Sequence, residues 1–163
     1  MASHLSISVA VSRFPLRNKT GLILGVARHA VMIVCMARIY RVILPVSDIE
    51  AAAVFYGKLL GETGRRVSAG RHYFDCGGVI LACFDPRRDG DHFDARPNPD
   101  HIYFAVADID STFDRASKLG CAEIEPQVTV RPWGERSFYA KDPFGNPICF
   151  VDEKTIFTGQ RES

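Results

Sequence analysis

Between residues 38 and 153 the apolar positions recur at two spacings, every second residue in short runs and every third or fourth in two longer ones. In the first run Tyr40, Val42, Leu44 and Val46 point one way and Arg41, Ile43 and Pro45 the other, as in an extended strand. Ile49, Ala52, Ala53, Tyr56, Leu59 and Leu60 then follow the spacing of one buried helical face. Ser47-Asp-Ile-Glu50 stands before them at the spacing of a capping box, and Gly61 follows where a left-handed residue ends a helix. Strand-like runs come next at Arg65–Ala69, His72–Cys76 and Val79–Phe84, separated by Ala69-Gly70 and Gly77-Gly78.

The same order occurs again. Arg41-Val-Ile-Leu-Pro-Val-Ser-Asp48 lies over His101-Ile-Tyr-Phe-Ala-Val-Ala-Asp108 at an offset of 60 residues. Ile109, Phe113, Ala116 and Leu119 give the second helix, closed by Gly120, and Glu123–Val130, Arg136–Ala140 and Pro147–Asp152 give three more strands. One supersecondary unit is used twice. The modules span 38–85 and 100–153, joined by a polar linker, 86–99, and followed by a tail, 154–163. Ile102, Phe104 and Val106 match the uniformly apolar set of the first strand, which belongs under the helix. The opposite face then carries Arg41, His101 and Tyr103, sparse polar groups among apolar ones, as a small-molecule cleft requires.

Charge changes the picture at one end only. The net charge of +1 excludes a field that would hold nucleic acid non-specifically, yet residues 1–47 contain no Asp or Glu and six basic groups (Arg13, Arg17, Lys19, Arg28, Arg38 and Arg41). The composition shift near residue 37 sets 1–36 apart as an N-terminal extension. An over-extended start before Met36, a transit-type peptide and a structured extension are all compatible with it. Arg28 and His29 interrupt its apolar stretch, which is shorter than the about 20 residues a membrane span needs. Five cysteines with no CxxC spacing read as reduced thiols of a cytoplasmic protein.

With Pro132-Trp-Gly-Glu-Arg136 followed by Asp142-Pro-Phe-Gly-Asn146-Pro-Ile-Cys149, the double module resembles the vicinal oxygen chelate superfamily of glyoxalases, bleomycin-resistance proteins and dioxygenases, and is most similar to the bleomycin-resistance branch. The resemblance implies an α+β fold of two βαβββ modules forming a curved eight-stranded sheet around a cleft, and a homodimer whose clefts combine surfaces of both chains. Metal-dependent members place a His or Gln and a second His on the first strands and a carboxylate in the last strand. Here those positions hold Arg41, His101 and Cys149. A guanidinium cannot donate to a metal, so the expectation is no metal and no other cofactor.

Arg41 then has two open readings, an anion site for carboxylate, phosphate or sulfate, or an ion pair with a neighbouring acid. His101 is a ligand contact or base, or simply a hydrogen-bonded strand residue. Cys149 lines the cleft or fills space. Trp133 offers a face for a planar or cationic ligand. Phe74, Tyr103, Phe138 and Tyr139 are candidates for the same wall or for the core, and Tyr103 and Phe138 join the site with Arg41, His101, Trp133 and Cys149. Asp142, Gly145 and Asn146 read as a tight turn. The expected function is metal-independent binding of a small organic ligand, a drug or metabolite held as in antibiotic resistance, with no catalytic residue assigned. The alternative is a metal-dependent lyase, dioxygenase or thiol transferase. Neither a nucleic acid nor a membrane is an expected partner.

Overall fold

The computed structural model describes residues 37–159, so the expectations attached to the extension 1–36 and to the end of the tail lie outside the described residues. The first module runs β1 (Arg41–Pro45), α1 (Ile49–Leu60), β2 (Arg65–Ser68), β3 (Arg71–Cys76) and β4 (Val79–Phe84). A short helix α2 (Pro86–Asp89) opens the linker. The second module runs β5 (Ile102–Val106), α3 (Ile109–Lys118), β6 (Glu123–Ile124), β7 (Thr129–Val130), β8 (Arg136–Lys141) and β9 (Pro147–Asp152).

All three helices start on an aspartate, Asp48, Asp85 and Asp108. Asp48 Oδ1 accepts from the N–H groups of Glu50 and Ala51, so the cap falls one residue after the predicted Ser47. A carboxylate there also meets the positive end of the helix dipole, and Glu50 is released from the predicted box to pair with Arg66. The predicted strand 123–130 is two short strands, β6 and β7. Pro126 has no N–H to give to a ladder, and the Glu125 N–H bonds Tyr139 O just before it.

The α+β class and the paired modules are present, with the strands in two sheets, ordered β1-β4-β3-β2 and β5-β9-β8-β6, and β7 also on β8. In each, the first strand pairs parallel with the last (β1 with β4, β5 with β9) and the other pairs are antiparallel. Register along β1 turns Val42 and Leu44 toward β4 through their backbone groups and leaves those of Ile43 and Pro45 facing the free edge. Two side-chain amides occupy that edge. Asn98 Nδ2 donates to Ile43 O at 3.1 Å and Asn146 Nδ2 to Pro45 O at 2.8 Å. With its carbonyls satisfied in this way, and a proline that lacks a donor, β1 is a blunted edge.

Leu44, Val46, Phe74, Leu81, Phe104 and Phe150 bury their side chains under the helices, in one core that spans both modules. The Asp142–Asn146 turn ties the modules together. Asp142 is fully buried, and its carboxylate accepts from Tyr56 Oη on α1 at 2.7 Å, from Phe144 N–H at 2.9 Å, from Asn146 N–H at 2.7 Å and from Asn146 Nδ2 at 2.8 Å. Burial first, then the Asp142 charge, pushes the Tyr56 phenol well above its ordinary pKa, so it stays a donor. Among the described residues no helix is long and apolar enough to cross a membrane.

Candidate functional site

Strand register decides which side chains share the face turned away from the helices. On the second sheet Tyr103, Cys149 and Tyr139 sit side by side across β5, β9 and β8. His101, just before β5, closes on them, its ring 4.9 Å from that of Tyr139 and 6.1 Å from that of Tyr103, with the two tyrosine rings 6.4 Å apart. Tyr103 is 57% exposed. The set forms an aromatic wall with one open side.

A buttress that sequence reasoning missed holds this wall. Arg131 places its guanidinium 4.5 Å from the centre of the Tyr139 ring, on a fork of bonds to both Glu125 oxygens, Oε1 at 3.1 Å, and with Nε on Ser137 Oγ at 2.8 Å. Glu125 also accepts from Tyr139 N–H at 2.9 Å. Burial alone would raise the Glu125 pKa, but the bonds from Arg131 and Tyr139 outweigh it and hold the carboxyl below its usual range. The Tyr139 phenol is pushed up to about 12, first by burial and then by Tyr103. It therefore stays neutral and acts as a surface, with no role as a base near pH 7. A cavity of about 230 Å³ opens beside the wall, lined by His101, Glu125, Tyr139 and Lys141 among others.

Two expected site residues are corrected. Phe138 is fully buried on the helix side, its ring 5.1 Å from Phe150 and 5.2 Å from Phe113. Alternation along β8 gives the cleft position to Tyr139 instead, and Phe74 is likewise core. Cys149 does lie on the cleft face but has 0% of its surface exposed, so it forms the floor under the tyrosines. Burial raises its thiol to about 12 despite the nearby Arg131, which leaves neither a nucleophile nor a thiolate donor. The four cysteines among the described residues are free thiols.

On the first sheet Arg41, Ile43 and Tyr73 occupy the corresponding face. The Arg41 guanidinium carbon lies 5.1 Å from the Tyr40 ring and 4.9 Å from the Tyr73 ring. Its Nε is buried without a hydrogen-bond partner. Of the two readings open for Arg41, the ion pair is not formed among the described residues, where no carboxylate pairs with it. Trp133 stands apart on the β7–β8 turn, 47% exposed, its Nε1–H donating to Glu135 Oε2 at 2.7 Å. Among the described residues it makes no ring contact with the wall.

The residues present do not fit a bound metal. Arg41 offers only donors, Cys149 is wholly buried, and Ala82, the β4 residue that corresponds to Cys149 in the first module, has no ligating atom. Among the described residues no group of three His, Cys, Asp or Glu is placed to hold a metal ion.

Comparison with known proteins agrees with this geometry at the level of fold. The model of the glyoxalase/bleomycin resistance protein/dioxygenase superfamily matches residues 38–150. A lactoylglutathione lyase structure from Agrobacterium tumefaciens is 25% identical, covering 72% of this chain and 95% of its own, with a TM-score of 0.56. A glyoxalase/bleomycin resistance protein from Albidiferax ferrireducens T118 is 22% identical, covering 69% of this chain and 97% of its own, with a TM-score of 0.61. A glyoxalase/bleomycin resistance protein/dioxygenase from Nocardioides is 24% identical over 80% of this chain and 93% of its own, with a TM-score of 0.57. No curated protein is significantly similar in sequence.

Proposed function

The chain belongs to the glyoxalase/bleomycin resistance protein/dioxygenase superfamily, and from that premise we propose that it binds a small organic molecule without a metal, in the manner of the bleomycin-resistance branch. The observation that carries the reading is the exchange of donor atoms for binding surfaces. A guanidinium, a methyl group and a buried thiol occupy positions that a metal site would need, and beside His101 the sheet presents tyrosine rings set edge to face. A ring stacked on Tyr103 and Tyr139 gains about 0.5–1.5 kcal/mol per contact beyond its buried area. Because Arg131 and Glu125 already fix Tyr139, little side-chain freedom is lost on binding. Arg41 supplies a charge for an anionic group, and Trp133 a rim contact.

On this reading the working form is a cytoplasmic homodimer in which each cleft uses both chains, and the ligand is a drug or metabolite that is held and not transformed. The chain's single tryptophan allows a panel of planar aromatic compounds to be read by fluorescence, or by calorimetry where Trp133 is itself replaced. Tyr103→Ala is expected to lower affinity about tenfold, and Trp133→Ala to weaken binding with the fold intact. Unchanged affinity in the Trp133 variant would remove that residue from the site. The lyase structure from Agrobacterium tumefaciens speaks for a second reading, a metal-dependent lyase, dioxygenase or thiol transferase, against which the donor set stands.

A further inference from the structure

The polar linker is a fixed strap with a cavity beneath it. At its start Asp85 N–H donates to Gly70 O at 2.8 Å, and Asp89 accepts from Ser68 Oγ and, at 2.6 Å, from Arg71 Nε. The approach is so close that a Cβ on Gly70 would lie 2.3 Å from Asp85 O. Midway, Arg87 Nε bonds Asp94 Oδ1 at 2.7 Å and the Phe93 ring meets Phe84 at 6.4 Å. At its end Asn98 bonds both Asn146 Oδ1, at 2.9 Å, and Ile43 O, at 3.1 Å. Between these ties the strap and the cleft face of the first sheet border a cavity of about 690 Å³ that is open to solvent.

Its lining divides by chemistry. Ile43, Pro45, Phe84 and Phe93 form an apolar, partly aromatic chamber. On the polar side Arg87 and Arg96, with the His92 ring beside them, face one acid, Asp94, whose carboxylate is taken by Arg87. Arg96 makes no hydrogen bond or ion pair within the described residues, acting on Asp94 only through its charge. Arg41 lies on the same face of β1, two residues and about 6.6 Å before Ile43. The Arg71 guanidinium lies over Phe84, 4.1 Å from the ring centre.

We infer that this chamber is a subsite for an organic acid with a planar apolar body, the body against Phe84 and Phe93 and the acid group shared by Arg96 and Arg41. The inference rests on the metal-free reading of the cleft and names the ligand class that reading leaves open. Neutral planar molecules gain the stacking but leave the two cations unpaired, and cations are repelled.

The test uses the full chain, labelled with ¹⁵N, and the probe 2-naphthoate, with 2-naphthylmethanol as its neutral counterpart. The naphthoate is expected to shift the amide resonances of Ile43, Phe84 and residues 92–96 saturably, and the alcohol to bind at least tenfold more weakly. Arg96→Glu and Phe93→Ala, both at surface-accessible positions, should each reduce naphthoate affinity at least tenfold without altering the remaining spectrum. Equal binding of acid and alcohol overturns the inference, as does full affinity in Arg96→Glu or the absence of naphthoate binding. Shifts confined to His101, Tyr103 and Tyr139 also overturn the strap site while leaving the metal-free cleft standing. Uptake of a metal by the same sample would instead remove the cleft reading itself.

Discussion

Asp142→Ala is expected to cost about 4 kcal/mol of folding stability, roughly a quarter or more of what a domain of this size has. The substitution leaves four donors without their acceptor: the Tyr56 hydroxyl, the amide of Asn146, and the backbone N–H groups of Phe144 and Asn146. Each buried orphan costs about 1–3 kcal/mol, and water entering the vacated space keeps the total below the sum. The same carboxylate orients Asn146, which caps the Pro45 carbonyl and, through Asn98, the end of the strap. Loosening therefore spreads across both modules. Urea unfolding with an unchanged slope and a lower midpoint would show it, with Tyr56→Phe, which removes one donor and its bond, falling about 1–2 kcal/mol short of the wild type. A loss under about 1 kcal/mol for Asp142→Ala would mean the turn is not the joint between the modules.

Arg41→Gln is expected to weaken binding of 2-naphthoate about 30-fold, roughly 2 kcal/mol, while leaving its neutral alcohol unaffected. Arg41 turns away from the apolar face of β1, where Leu44 packs into the core, so the fold should tolerate the change. The size of the effect follows from the site. The guanidinium sits against the Tyr40 and Tyr73 rings with its Nε already out of water, and an incoming carboxylate meets a cation that no acid among the described residues pairs with. Charge-assisted bonds of this kind contribute about 1.5–3 kcal/mol. Equal loss for acid and alcohol in calorimetry would mean that Arg41 serves only to support the tyrosines.

What the chain shows before folding and what it hides divide along physical lines. Local periodicity gave both helices, and their glycine ends have positive φ, 73° at Gly61 and 80° at Gly120. The offset between Arg41 and His101 identified the doubled module, and alternation along the first strands set Arg41 and Tyr103 on the faces of their own sheets opposite the core residues Leu44 and Phe104. Alternation was not carried into β8, where it would have excluded Phe138 and chosen Tyr139, the partner of Cys149. The Glu125–Arg131 buttress could not be read from spacing. Pro126 breaks the strand between them, and the pair exists only because β7 folds back on β8. Asp142 looked like a local turn because its decisive partner, Tyr56, is 86 residues away. The linker looked solvated because its composition is polar, and composition does not report that Asn98 and Asp85 anchor it or that Phe93 turns toward Phe84.

The central claim is that a superfamily cleft here works through surfaces and charge where a metal would otherwise sit. Metal analysis of the full chain, purified without chelator and then titrated separately with zinc, manganese, nickel and iron(II), tests it most directly. The account predicts no stoichiometric metal as purified and no saturable uptake at His101. One metal bound per chain, lost on His101→Ala, would contradict it and return the site to metal chemistry.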